Sequence, residues 1–278
     1  MASLASGASF ATLLFARLGA SGTTLLRVGF AASILLVFWK PWRIRWQRHE
    51  LRDVALFGLV LGCMNLTFYL SLRTLPVGVA VAIELLGPLA VAVCLSRQLR
   101  DFAWIAMAVL GIALLLPLGG FAAPLDPAGM GFAVAAGAFW AAYIVLGQRA
   151  ARRHPGPALA LGLTVATAVV MPFGVVSAGA ALLDPAMLVA GLALAVLSSA
   201  MPYSLEMFAL RRLPAQTFGV LLSLEPVMGA ICGWMFLDQR LTPLQWLAIA
   251  CVVSASGGVA AGAARRRGER PAVGPAPP

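Results

Sequence analysis

The chain has 278 residues, of which 61% are hydrophobic and only 11% charged. A soluble domain is about 45–50% apolar and about 25% charged. No soluble fold of this size hides such an excess, because its surface remains too large relative to its volume. These proportions exclude a water-soluble globular protein and point to a lipid bilayer. The net charge of +10 comes from 20 Lys and Arg against 10 Asp and Glu. In a soluble protein that excess would point to nucleic acid. Here the basic residues fall in short stretches between apolar segments, where they act as topology signals. No nucleic-acid partner is expected.

The apolar segments are about twenty residues long, the length of a membrane-spanning helix; a barrel would show ~10-residue alternating strands. In chain order the predicted helices are 3–15, 23–39, 54–72, 77–95, 102–118, 130–147, 157–177, 186–210, 217–237 and 244–264. The expected fold is an all-α integral membrane protein with ten transmembrane helices. Segment 3–15 is short for a hydrocarbon core of about 30 Å. It follows no basic leader, so a cleavable signal peptide is not expected. Either this segment spans poorly or the natural start lies upstream of Met1. The stretch 265–278, rich in Arg, Pro and Gly, is expected to be a disordered tail.

Lys and Arg alternate sharply between successive loops. Sixteen lie in one set, from Lys40 to the tail, and three in the other: Arg17, Arg73 and Arg240. The positive-inside rule then places both termini in the cytoplasm. It also makes the helix count even.

An internal repeat organises the chain. "RTLP" at Arg73–Pro76 recurs as "RRLP" at Arg211–Pro214, and Pro88 matches Pro226 at the same offset. Trp104 matches Trp246 after a four-residue insertion, while Gly7-Ala8 and Gly137-Ala138 give a weaker match. The repeat divides the chain into a five-helix unit at 1–120 with a short first helix, a periplasmic linker at 121–129, a second five-helix unit at 130–264 and the tail at 265–278. A unit with an odd number of helices must enter the bilayer in opposite directions in its two copies. Such inverted repeats can rock about a midplane site and open it to each side in turn.

Enzymatic chemistry has little raw material. Cys63, Cys94, Cys232 and Cys251 all fall inside apolar segments without paired spacing, and read as small core residues. The two histidines, His49 and His154, sit in basic stretches. Neither a zinc site nor a Ser-His site is expected, and no cofactor, metal or catalytic residue is assigned.

Several stretches together resemble a known family. They are "RVGFAASILLVFWKPWRIR" (27–45), "MNLTFYLSLRTLPVGVAVAIELLGPLAVA" (64–92), "AVLGIALLLPLG" (108–119), "MPYSLEMFALRRLPAQTFGVLLSLEPVMGA" (201–230) and "LTPLQWLA" (241–248). The chain resembles the drug/metabolite transporter superfamily, in its EamA-type group of ten-helix exporters, and among those the inner-membrane threonine/homoserine exporters. Asp238-Gln239 departs from the Gly-Glu expected there, in a loop away from the substrate. The resemblance implies a secondary active exporter of small amino acids in a bacterial-type inner membrane. No nucleotide-binding motif is present, so coupling to protons is the expected drive. Two alternatives stand beside this reading. One is export of other metabolites, drugs or hydrophobic cations. The other is a membrane-embedded structural subunit or enzyme.

Ionisable groups inside a membrane are costly and mark function by default. Glu225 lies near the middle of its predicted helix, immediately before Pro226, and Glu84 sits four residues before Pro88. A proline frees a backbone carbonyl in the preceding turn. The repeat aligns Glu225 with Gly87, one turn from Glu84 on the same helix face. Two such acids suit an ammonium group or a proton; a bland reading has each simply paired with a neighbouring helix. Glu206, near Arg211, is equally well an interfacial acid. Arg27 can snorkel, neutralise Glu84, or meet a substrate carboxylate. Asn65, Thr67 and Tyr69 on one segment, and Tyr203 on the repeat-equivalent one, offer hydrogen bonds to a hydroxylated substrate or between helices. Asn65 and Tyr69 share a face, which makes them the better pair.

Overall fold

The computed structural model describes residues 2–94, 125–150, 152–205 and 225–268, with isolated positions between 103 and 114. Among these residues the chain is helical and forms no strand. The elements are α1 (Ala2–Trp39), α2 (Arg48–Ser71), α3 (Val77–Glu84), α4 (Leu86–Cys94), α5 (Pro127–Ala150), α6 (Pro155–Ala178), α7 (Pro185–Ala195), α8 (Glu225–Leu237) and α9 (Pro243–Gly268). A 3₁₀ turn at Pro41–Arg43 follows α1, another at Gly179–Leu183 follows α6, and a π-helical turn at Val196–Ala200 follows α7. Most of predicted segment 102–118, the end of 186–210 and the start of 217–237 lie outside the described residues.

The first two predicted segments are not separated by a loop. Helical backbone continues through residues 16–22, interrupted only at Gly19, whose φ of 66° and ψ of 171° kink α1 into two legs. Glycine takes a positive φ without the Cβ clash that other residues suffer. The Thr23 hydroxyl donates to the Gly19 carbonyl at 2.8 Å and seals the kink. The bend is needed for fit: 38 straight residues would span about 57 Å, nearly twice a hydrocarbon core.

The predicted helix 77–95 is likewise broken, this time by proline. Pro88 has no N–H, and its ring crowds the carbonyl four residues back, that of Glu84. Helix α3 therefore ends at Glu84 and α4 begins at Leu86, with the Leu85 N–H bonded to Val81 O and Ile83 O. Helix α5 fills the notch. A Cβ on Gly137 would stand 2.8 Å from the Glu84 carbonyl oxygen, so only glycine admits so close an approach.

Two apolar clusters hold the bundle. One gathers Val28, Phe57, Leu61, Leu159 and Leu163 from α1, α2 and α6. The other gathers Tyr69, Val79, Ile83 and Ala136 from α2, α3 and α5. The outer faces of α6, the turn after it and α7 are apolar and bare: Val176 is 88% exposed, Leu183 78% and Val189 70%. Patches of that kind are covered in soluble proteins by a partner and here by lipid. Five of the described helical stretches are long and apolar enough to cross a membrane. Helix α9 runs through Gly268, beyond the predicted end at residue 264.

Candidate functional site

The site lies where α1, α2, the α3–α4 break, α5, the π-helical turn and α8 converge. Each functional side chain is placed by a local feature of the sequence. Arg27 comes from the second leg of α1, and Asn65 and Tyr69 come from successive turns of α2. Glu84 is the last residue of α3, fixed there by Pro88. Glu225 stands at the first described position of α8, directly before Pro226. The carbonyl that Pro226 would free belongs to Leu222, outside the described residues.

Arg27 is only 3% exposed. A buried guanidinium must be compensated, and neutral groups do this. Nη1 donates to the Ser198 carbonyl at 3.0 Å, to Ser198 Oγ at 3.3 Å and to Ser199 Oγ at 2.8 Å. Nη2 donates to Asn65 Oδ1. The Tyr69 ring lies beneath the guanidinium, 4.6 Å from Cζ to the ring centroid, in a cation–π contact. The Ser198 carbonyl is open because Pro202, four residues on, has no N–H to offer it. The π-helical turn at Val196–Ala200 carries that carbonyl and both serine hydroxyls toward Arg27. Such turns are rare and gather at functional sites.

Asn65 is the second hub. Its Nδ2 donates to Leu61 O at 2.8 Å, and its Oδ1 accepts from Arg27 and from the Tyr203 hydroxyl, the latter at 3.4 Å. Arg27, Asn65, Tyr69, Glu84, Tyr203 and Glu225 all line one cavity of about 60 Å³. Both acids are buried, at 7% and 6% exposure. No salt bridge joins Arg27 to Glu84 among the described residues, whose ion pairs include Arg17–Asp184, Arg153–Glu50 and Arg240–Asp238. The π-helical turn and Asn65 occupy the guanidinium instead. Glu206 lies outside the described residues. Thr67 turns back on its own helix, donating to Cys63 O at 2.8 Å.

Sequence reading alone missed Ser198, Ser199, Trp140 and Tyr143, which complete the walls and the cage. A signal existed for the serines: an adjacent pair in an apolar helix, with a proline four residues after the first. Gln239, read as a remote loop residue, caps α3: its Oε1 accepts from the Val77 N–H at 3.1 Å. Among the described residues no cluster of His, Cys, Asp and Glu could hold a metal, and Cys63, Cys232 and Cys251 are free thiols.

A bundle with bare apolar outer faces, enclosing two carboxylates and a guanidinium around a small cavity, has the build of a membrane transporter. The EamA-like transporter family matches residues 127–260. The chain belongs to that family; it is a multi-pass membrane transporter and not an enzyme. Among its relatives is the threonine/homoserine exporter RhtA of Escherichia coli (strain K12), 47% identical over 258 residues, covering 93% of this chain and 88% of that one. The exporter of the same name from Salmonella typhimurium (strain LT2) is 48% identical over the same coverage. A crystal structure with 18% sequence identity covers 97% of this chain and 98% of its own, with a TM-score of 0.63, and shares the fold.

Proposed function

We propose that this protein is a secondary active exporter of small amino acids of the threonine and homoserine kind, working in the inner membrane by alternating access and proton antiport. Ten helices in two inverted repeats, 1–120 and 130–264 joined by a periplasmic linker at 121–129, rock about the central cavity, with both termini cytoplasmic. The observation that carries this reading is the cavity itself, which holds buried Glu84 and Glu225 together with buried Arg27. Ions at membrane depth cost several kcal/mol and persist where transport needs them. A zwitterion brings one charge of each sign, and both must be met where water is scarce. The cavity offers both signs. The names of the relatives, at 47% and 48% identity, supply threonine and homoserine as the candidates.

In the proposed cycle Glu84 and Glu225 take the substrate ammonium group or, alternately, a proton. Asn65 and Tyr69 stand beside Arg27 on one wall of the cavity, and Tyr203 supplies a hydrogen bond to a hydroxyl-bearing side chain. Glu206 stands near the cytoplasmic end of the pathway. Counterflow of labelled threonine in proteoliposomes, with homoserine, alanine and a hydrophobic cation as competitors, tests the reading. Uptake against preloaded threonine that homoserine competes away supports it. Competition by the cation alone overturns it.

A further inference from the structure

The cage around Arg27 leaves part of the guanidinium unused. Nη1 faces three oxygen acceptors and Nη2 one. Arginine has five N–H donors in a planar fork. The Nε–H makes no hydrogen bond, and the one acceptor recorded for Nη2 among the described residues is Asn65 Oδ1. Nε and Nη2 form one edge of the fork, the edge that grips a carboxylate side-on with two parallel bonds. The Tyr69 hydroxyl, on a residue only 1% exposed, is also without a partner. Buried polar groups in native proteins are nearly always satisfied, so orphans gathered on one contact pair require an explanation.

The charge requires one as well. Every group that holds Arg27 is neutral: a carbonyl, two hydroxyls, an amide oxygen and a ring face. Two acids line the same cavity, and no salt bridge joins Glu84 to the guanidinium among the described residues. If the arginine only balanced those acids, pairing with one of them would be the cheaper arrangement. The π-helical turn and Asn65 take the guanidinium's donors instead.

We propose that Arg27 is the seat of the ligand carboxylate, that its Nε–Nη2 edge and the Tyr69 hydroxyl bind it, and that the cavity accepts only ligands bearing a carboxylate. This deepens the transport reading of the cavity and rests on it. It gives the substrate a direction, with its carboxylate against α1 and α2 and its ammonium group toward Glu84 and Glu225. It bars ligands whose only charge is positive, because Arg27 repels them. Ser198, Ser199 and Asn65 are positioning residues: they act through Arg27 and hold its free edge in place.

The test compares L-threonine with L-threonine amide, which keeps the ammonium group and hydroxyl but lacks the negative charge. Both serve as competitors in threonine counterflow and as stabilisers of the purified protein against heating in detergent. The expected result is a preference for threonine of at least about tenfold, the scale on which a site built for a polar group rejects an analogue lacking it. Arg27→Gln should abolish that preference. Arg27→Lys should keep a weaker one, because a lysine gives charge without the fork. Tyr69→Phe should weaken threonine and leave the amide unchanged. Equal competition by amide and threonine in the wild type overturns the proposal, as does a preference that survives Arg27→Gln. If Arg27→Gln does not fold, the wild-type ratio and Tyr69→Phe still decide. Failure of the amino-acid reading looks different, because threonine then neither exchanges nor stabilises. In that case the carboxylate rule is read by heating with acetate, butyrate and benzoate against their amides, and stabilisation by amides equal to that by the acids overturns it.

Discussion

Asn65 and Tyr203 stand 138 residues apart, and the Tyr203 hydroxyl donates to Asn65 Oδ1 at 3.4 Å. That separation is also the offset of the sequence repeat, which aligns these two residues with one another. A residue meets its own repeat counterpart only near an axis that relates the copies. The contact between them supports the pseudo-symmetric arrangement proposed above.

Substitution at Asn65 separates packing from charge. Asn65→Ala leaves Arg27 Nη2 and the Tyr203 hydroxyl without their acceptor and should cost about 1–3 kcal/mol of stability. Asn65→Asp keeps the shape and adds a carboxylate against the guanidinium. It should fold, since a buried pair with good geometry is tolerated, but it should lose threonine transport because the arginine is neutralised. Thermal unfolding and counterflow, run on both variants, check the two halves of this expectation.

Glu225→Gln addresses coupling. A glutamine cannot exchange a proton, so export driven by a pH gradient should be abolished. Exchange between equal threonine pools should continue, because it moves no net proton. Export at the wild-type rate with the wild-type pH dependence would make Glu225 structural.

The proposed orientation rests on the loop charges. Cysteines placed at Asp126 and Asp184 should react with a membrane-impermeant thiol reagent added to intact cells, and a cysteine at Arg152 should not. External labelling at Arg152 breaks the ten-helix arrangement.

Asp126, just ahead of α5, ties that helix to the α2–α3 connection. The Thr74 hydroxyl, the Ala128 N–H and the Gly129 N–H hold its carboxyl below the usual aspartate range. Its folded pKa is depressed, so its contribution to stability is present above the ordinary aspartate pKa and is lost as the pH falls through the lowered value. Thr74→Val should return the carboxyl toward its ordinary range and shrink that acid-side loss. Melting temperatures between mildly and strongly acidic pH, measured for both proteins, would reveal it.

Some of this molecule was open to sequence reading because the physics acts on single residues. A carboxylate amid twenty apolar residues is conspicuous by cost, which is why Glu84 and Glu225 were found. The repeat then drew Asn65 and Tyr203 to the same place. Other features depend on pairs of distant residues and left no local mark. Nothing near Arg27 announces that the Ser198 carbonyl will receive it; that needs Pro202 and a helix from the other half of the chain. The stretch around Gly19 fell between two predicted segments, with Arg17 and the small residues Gly19, Ala20, Ser21 and Gly22. Its backbone stays helical because only one residue has to leave the α region. Gln239 was unreadable for the same reason, since its role is to complete a helix 162 residues away.

The interruption at Leu85 has a mechanical meaning. Helix α3 is clamped at one end, where Gly78 packs against Ala230 so closely that a Cβ would lie 2.7 Å from the alanine methyl. Helix α4 begins two residues after α3 ends, beyond a peptide that proline leaves short of a hydrogen bond. Two rods joined in this way can change their mutual angle by adjusting a few dihedrals while each stays rigid. Glu84 sits at the fulcrum of that lever. A point at the fulcrum travels least when the arms swing, so in the proposed cycle the acid would keep its place on the ligand while the ends of the two rods open one face of the membrane and close the other.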